Sequence, residues 1–565
     1  MTSAPWVQVY DPLHSLGWST LLATPPLLVL LGLIFWGVPA HRAALCGLVT
    51  AMVTAIVGFH MPWVQAVAAA VYGACCGLLP IGWIVLPGLF LFHLTVRSGQ
   101  FEIVKRSVTA LSPDRRMQAL LIAFSFGAFL EGAAGFGTPA AISSALLMGI
   151  GFSPLYAAGL ALMANTSPVA FGSLGSPITV LAKVSDLPEM ALSQMVGRQL
   201  PLFALIVPVW LIWTMSGWKG VKGCWPAILV CGGSYGACQF VVANFAGPSL
   251  AGVGSGLLSL VVLAAFLRVW QPREVFRFAN ERGEPVRDEA PPLTSRQVAH
   301  AWVPWLLLSA MIFVWGLPQV KTALDGGTAK RPNCLAGIGK LAWSVPRLDG
   351  AVYRTSPVVQ VPPGSDRAEK PMEAIYDFNW LSAAGTAIFL AAVISAFWLR
   401  IRPREFAAQL LDTTLRVRPA LLTIACTLAI AFILKFSGGD ATLGLAFTHT
   451  GWLYPLFAPL LGWVGVAITG SDTASNALFG SLQHITAKQL ALNPVLIVAS
   501  NSTGGVMAKM IAAQSIAVAA VATEQSGQEG RILRFVLLPS IIMALIVGLM
   551  TLVQAYLLPW TIPGG

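Results

Sequence analysis

Residues able to grip an anion or carry a proton are concentrated in four short stretches of an otherwise apolar chain. These are FLEGAAGFGTPAAI (129–142), NTSPVAFGSLGSPI (165–178), ITGSDTASNALFG (468–480) and NSTGGVMAKMIAAQSI (501–516). Across 117–183 the only carboxylate is Glu131, and across 451–521 it is Asp472. Low-dielectric surroundings disfavour a carboxylate's charged form, and an acid at membrane depth is by default a proton-relay or ion-site candidate. Glu131 and Asp472 are therefore assigned to coupling; the plainer alternative is that each accepts backbone N–H bonds at a helix start. Lys509, among apolar residues, is expected to meet an anionic substrate or pair with Asp472, with snorkelling to an interface as the alternative.

A broken helix presents unpaired N–H groups and a partial positive charge at each new N-terminus, enough to hold a carboxylate without an arginine. Asn165, Thr166 and Ser167 in one stretch and Asn501, Ser502 and Thr503 in another supply amides and hydroxyls beside such ends. Thr138, Ser176, Ser471, Thr473 and Gln514 complete the candidate substrate contacts. Together they suit a small anion bearing a hydroxyl, although Asn, Ser and Thr also serve as caps.

The stretches form two similar pairs. Thr138 to Asn165 is 27 positions and Thr473 to Asn501 is 28. The first pair is entered from a basic loop, the second from the other end of a span, so the copies run in opposite senses. Inverted repeats with Gly/Pro-interrupted hydrophobic segments point to a secondary transporter with a site near the bilayer midplane. Backbone groups freed at such depth must line a cavity or be covered by protein.

The elements that must position these residues follow from composition. The chain has 565 residues, 56% hydrophobic and 10% charged, with mean hydropathy +0.75. Soluble proteins carry roughly 25% charged residues, so a soluble enzyme is excluded. No HExxH, P-loop or Cys/His cluster is present, so no enzyme activity, cofactor or metal is expected. The eight cysteines have no disulfide or metal spacing. The net charge of +11 comes from Lys and Arg in short loops, the positive-inside pattern and not a nucleic-acid face.

Hydropathy predicts spans near 21–38, 43–60, 66–95, 199–216, 225–242, 249–268, 299–317, 380–399, 419–434 and 532–557, with interrupted regions at 117–183 and 451–521. The expected fold is an all-α polytopic membrane protein of about 12–14 transmembrane segments in two inverted-topology repeats with broken helices or re-entrant hairpins. Basic clusters at 97–116, 268–296 and 400–418 are assigned to the cytoplasm. That puts the N-terminus and the segment 318–377 outside and Arg42 inside. Residues 1–270 and 299–565 read as two transport halves joined by a cytoplasmic linker, 271–298. Gly252 and Gly256, on one helix face, are assigned to close helix packing.

The motifs VYDP, LEGAAGFGTP (130–139), PLYAAGL (154–160), FGSLGSPI (171–178), MVGRQLP (195–201), WQPREVFRF (270–278), TGSDTASNALF (469–479) and NSTGGVMAKM (501–510) resemble the bacterial L-lactate permease family, which includes glycolate permeases. The resemblance spans essentially the whole chain. It implies a plasma-membrane symporter importing L-lactate, and often D-lactate and glycolate, with protons, on an ion-transporter-type fold. In that family the second break usually continues Lys-Met-Ile-Ser-Pro-Gln-Ser, whereas Ala512 and Ala513 stand here in place of the Ser-Pro pair. Two other readings stay open. A small-anion channel wants rings of Lys or Arg, of which only Lys509 is available, and Na⁺ coupling would use freed carbonyls at a break. Nothing in the sequence sets the oligomeric state.

Overall fold

Apolar runs of this length leave the backbone one economical solution in a bilayer, the helix, and the chain takes it almost throughout. The computed structural model describes residues 6–109, 111–133, 138–278, 293–328, 331–358, 370–525 and 528–564. Among these residues nine helices are long and apolar enough to cross a membrane, ten if Leu16–Ala23 and Pro25–Ile34, bent by 43°, form one span. The helix Glu189–Phe245 has 57 residues, far more than the roughly 20 a crossing needs. It reverses at Gly217 (φ 61°, ψ −166°), and Ser193 near one end bonds the carbonyl of Ala243 near the other at 2.9 Å. Its two arms are the expected spans 199–216 and 225–242.

Two faces can be told apart by contacts. On one, Arg97 bonds Gln409 at 3.2 Å, Arg116 bonds the Glu274 carbonyl at 2.6 Å, and Trp302 bonds Ser107 at 3.3 Å. The three basic loops therefore lie together. On the other, strand Trp6–Val7 pairs in parallel with Val352–Tyr353, and Arg198 reaches the Thr561 carbonyl at 2.7 Å. The expected extramembrane segment 318–377 folds there partly as short strands, Leu341–Ser344 pairing with Ile375–Phe378. Gln8 anchors this region to the bundle by donating to the carbonyls of Lys435 and Phe436, both at 2.9 Å. Most of the expected linker, 279–292, lies outside the described residues.

The interrupted regions form two hairpins and two broken spans. From the basic face, Ala119–Phe126 and Gly127–Ala133 run inward and Thr138–Gly149 returns, with Ser143 bonding the Ile122 carbonyl at 3.4 Å. At its base Arg115 lies over Phe152, 6.0 Å from the ring centroid. The second hairpin enters from the opposite face, Tyr454–Thr469 in and Asp472–Gln489 out. There Ser475 bonds Gly462 at 3.1 Å, and Gln489 at the base bonds Pro357 at 2.6 Å. The two senses are inverted, as expected.

The first broken span comprises Pro154–Ala164, a turn, a 3-10 turn at Val169–Phe171 and Gly172–Ser185, with left-handed backbone at Ser173, Leu174 and Gly175. Two L-residues with positive φ cost about 1–3 kcal/mol each; Gly175 lies so close to Pro248 that a Cβ there would come within 2.7 Å of its carbonyl carbon. The second comprises Pro494–Ala508, a 3-10 turn at Lys509–Ile511, extended Ala512 and Ala513–Ala522.

This corrects the expected second break. Asn501, Ser502 and Thr503 do not open it; they lie inside a continuous helix, and the chain breaks at Lys509–Ala512. Their side chains bond other elements and leave the helical backbone intact, while Gly504 and Gly505 serve close approach. The break also forms without the Ser-Pro pair, Ala512 supplying the extended residue (φ −61°, ψ 125°).

Small residues let these helices meet. A Cβ at Gly256 would overlap the Phe129 amide nitrogen, and one at Gly252 would come within 2.7 Å of the Phe171 carbonyl, the packing role expected for this pair. A Cβ at Gly504 would overlap the Pro459 carbonyl, whereas Gly530 has open space. Forcing extra atoms into such contacts costs about 1–3 kcal/mol. Gly504→Val is therefore expected to lower the thermal unfolding midpoint in detergent, and Gly530→Ala to leave it in place; equal midpoints would refute the close approach.

Candidate substrate and coupling site

The second hairpin places two opposite helix ends side by side. Helix Tyr454–Thr469 stops because Gly470 adopts the left-handed region (φ 72°) and its N–H closes onto Val466 at 2.8 Å. Ser471 is extended, and its hydroxyl accepts from the Ala474 N–H at 3.2 Å, starting the return helix. Lys509, only 6% exposed, donates to the Gly470 carbonyl at 2.7 Å. It does not snorkel; it sits on the negative end of the hairpin's first helix.

Beside this tip lies a cavity lined by Thr469, Ser471 and Thr473, by Gln514 from the second broken span, and by Thr423 and Thr427 from helix Pro403–Ser437. Leu30, Ile34, Ile424 and Leu428 form part of its apolar wall. Helix Ala513–Ala522 starts without a capping side chain, so its leading N–H groups are available next to Gln514. Available donors, several hydroxyls and apolar walls match a small amphiphilic anion.

Asp472, 2% exposed, receives the Ser502 hydroxyl at 2.5 Å and the Asn476 amide at 3.3 Å on Oδ2, while buried Oδ1 has no protein partner. Glu131, 3% exposed, receives the Asn165 amide at 3.0 Å. None of these bonds comes from a helix N–H; capping falls to Ser471. Lys509 acts electrostatically on both carboxylates, so one ammonium and two acids, drawn from both halves, share one low-dielectric region.

The remaining expected residues divide. Ser471, Thr473 and Gln514 line the cavity; Lys509 bonds Gly470 and Ser502 bonds Asp472, chain neighbours of the lining residues Thr469, Ser471 and Thr473. Asn501 donates to Asn476 at 2.8 Å, behind Asp472. Thr503 points elsewhere: it bonds Gln199 at 2.7 Å, which bonds Gln554 at 2.8 Å, joining three helices. Thr166 bonds the Met163 carbonyl at 2.8 Å, Ser176 is buried, and the side chain of Thr138 lies outside the described residues. Near Asn165, buried oxygens of Asn165, Ser167 and Gln239 lack protein partners, and Gln239 bonds the Ser167 carbonyl at 3.3 Å. Among the described residues no group of three or more His, Cys, Asp or Glu side chains is placed to hold a metal.

Sequence reasoning missed Thr423, Thr427 and Asn476. The threonines are four apart on one helix face of an apolar span, and Asn476 is one helical turn beyond Asp472; both spacings were visible.

A family model described as L-lactate permease matches residues 19–558. An L-lactate permease of Bacillus subtilis is 44% identical, covering 99% of this chain and 100% of that protein. The glycolate permease GlcA of Escherichia coli is 43% identical over 98% of each chain, and an L-lactate permease of the same organism is 42% identical over 99% of this chain and 100% of its own. Among solved structures, the YdaH transporter of Alcanivorax borkumensis is 12% identical, with a TM-score of 0.44 and coverage of 86% of each chain.

The capping bond at the hairpin tip gives a prediction independent of transport. Ser471→Ala removes it at a cost of about 1 kcal/mol, read as a lowered unfolding midpoint, and Ser471→Thr restores most of the loss. Equal stability of Ser471→Ala and the parent would show that the hydroxyl does not cap.

Proposed function

The chain belongs to the L-lactate permease family, and from that premise we propose that it is a secondary active transporter importing L-lactate and related 2-hydroxy monocarboxylates, D-lactate and glycolate included, together with protons across the bacterial plasma membrane. The observation that carries this reading is the placement of Lys509 within electrostatic reach of both Glu131 and Asp472 beside a hydroxyl-lined cavity.

Charge supplies the coupling. With both acids ionised the three groups sum to one negative charge, which opposes an entering anion in a medium where Coulomb forces are weakly screened. Adding one proton brings the sum to zero, and the substrate carboxylate then gains from Lys509 and the leading N–H groups of Ala513–Ala522. The 2-hydroxyl finds partners among Thr423, Thr427, Ser471 and Thr473. Residues 1–270 and 299–565 act as the two transport halves, linked through 271–298, and alternating access exposes the hairpin tips to each side in turn. A membrane potential adds about 2.3 kcal/mol per elementary charge per 100 mV whenever net positive charge enters.

Proteoliposomes given labelled L-lactate test this directly. An inward proton gradient is expected to drive uphill accumulation that a protonophore abolishes; accumulation driven by Na⁺ alone would overturn proton coupling, and strictly downhill flux would favour a channel. Glu131→Gln and Asp472→Asn are expected to reduce accumulation more than exchange, since exchange need not cycle the proton. Normal accumulation in both variants would refute the coupling assignment.

Orientation follows from the basic face being cytoplasmic, with the N-terminus and 318–377 outside. Cys334 is exposed in that segment. A membrane-impermeant maleimide should label it in intact cells, with Cys334→Ser as the control. Labelling of Cys334 only after permeabilisation would invert the orientation.

A further inference from the structure

Behind Asp472 runs a chain of side-chain amides that the coupling scheme leaves unused. Gln483 donates to Asn501 Oδ1 at 2.7 Å, Asn501 donates to Asn476 Oδ1 at 2.8 Å, and Asn476 donates to Asp472 Oδ2 at 3.3 Å. Amide orientations are usually open to reversal, but here both ends are fixed by backbone carbonyls, which only accept. Gln483 Nε2 also meets the Ala458 carbonyl at 2.9 Å, and Asn476 Nδ2 meets the Pro177 carbonyl at 3.1 Å. Turning any one amide would set oxygen against oxygen or nitrogen against nitrogen at a neighbouring link. The chain therefore ends on Asp472 as a donor.

The two carboxylate oxygens are consequently unlike. Oδ2 accepts from both Asn476 and Ser502, whereas Oδ1 has no protein partner. Oδ1 lies against Gly505, where a Cβ would come within 2.5 Å of it. Pro177 belongs to the broken span of the other half, just beyond its left-handed residues. One amide group thus touches the acid of one repeat and the backbone of the other.

We propose that Asn476 is a positioning residue for proton coupling: it holds Asp472 Oδ2 as an acceptor so that Oδ1 takes and releases the proton, and it ties that carboxylate to the opposite repeat through the Pro177 carbonyl. This rests on the assignment of Asp472 to coupling. Hydronium gives its proton to a lone pair of Oδ1, one O–H bond breaking as another forms, to leave water and the neutral acid; return of the proton to water restores the carboxylate and hydronium. Among the described residues, Lys509 is the charged group that acts on Asp472, and Ser502 and Asn476 supply its neutral donors. Lys509 also acts on Glu131.

The test uses the full-length protein in proteoliposomes, with gradient-driven L-lactate accumulation measured against pH and L-lactate exchange measured in parallel. Loss of a donor to the charged form makes protonation easier. Asn476→Ala is expected to move the pH midpoint of accumulation about one unit towards alkaline values, and to lower accumulation more than exchange. Asn476→Ser, polar but too short to reach both Asp472 and Pro177, should shift it in the same direction and serves if the alanine variant does not fold. Ser502→Ala, which strips the other donor from Oδ2, should also shift it that way. If the parent protein ignores the proton gradient, the coupling scheme itself fails. If the parent responds and a folded Asn476 variant keeps the parent midpoint and accumulation-to-exchange ratio, the positioning role alone is overturned.

Discussion

Peptide groups released from a helix inside a bilayer have no water to turn to, and this constraint governs the rest of the molecule. At the described breaks neighbouring groups answer part of it. Lys509 takes the Gly470 carbonyl, Ser471 takes the Ala474 N–H, and Gln239 takes the Ser167 carbonyl. The glycines of the neighbouring helices follow from the same need, because covering a break requires backbone to approach backbone. Gly252 meets Phe171 at the first broken span. The same close approach also joins intact helices, as where Gly462 meets Asn501 and Gly232 meets Ala204.

The same surroundings that satisfy the backbone concentrate charge. A buried acid is tolerated when donors and a counter-charge are at hand, and the tips provide both. Asp472 and Glu131 are each held by a neutral amide and share one ammonium. That ammonium is also bonded to a helix-end carbonyl, that of Gly470.

Much of this was legible in the sequence. The breaks announced themselves as Gly, Pro, Asn and Ser in apolar surroundings, and the opposed senses followed from basic loops and span parity. What could not be read was which polar residues face a cavity and which face a neighbouring helix. Asn501 to Thr503 have the same composition as Asn165 to Ser167, yet the first trio lies on an intact helix and the second at a helix end. The difference lies in tertiary partners: Gln199, Asn476 and Gln483 are distant along the chain or hidden in helical spacing. The reversal at Gly217, by contrast, falls in the gap between the expected spans 199–216 and 225–242. The strands after Gly316 are too short for periodicity to reveal.

Those strands set an order on biosynthesis. Trp6 and Val7 are synthesised well before their partners Val352 and Tyr353, with several long apolar helices made in between. Gln8 then waits longer still for the carbonyls of Lys435 and Phe436. The opening segment therefore has no strand partner until the helices between it and Val352 have been made, and its docking is a late event that follows them.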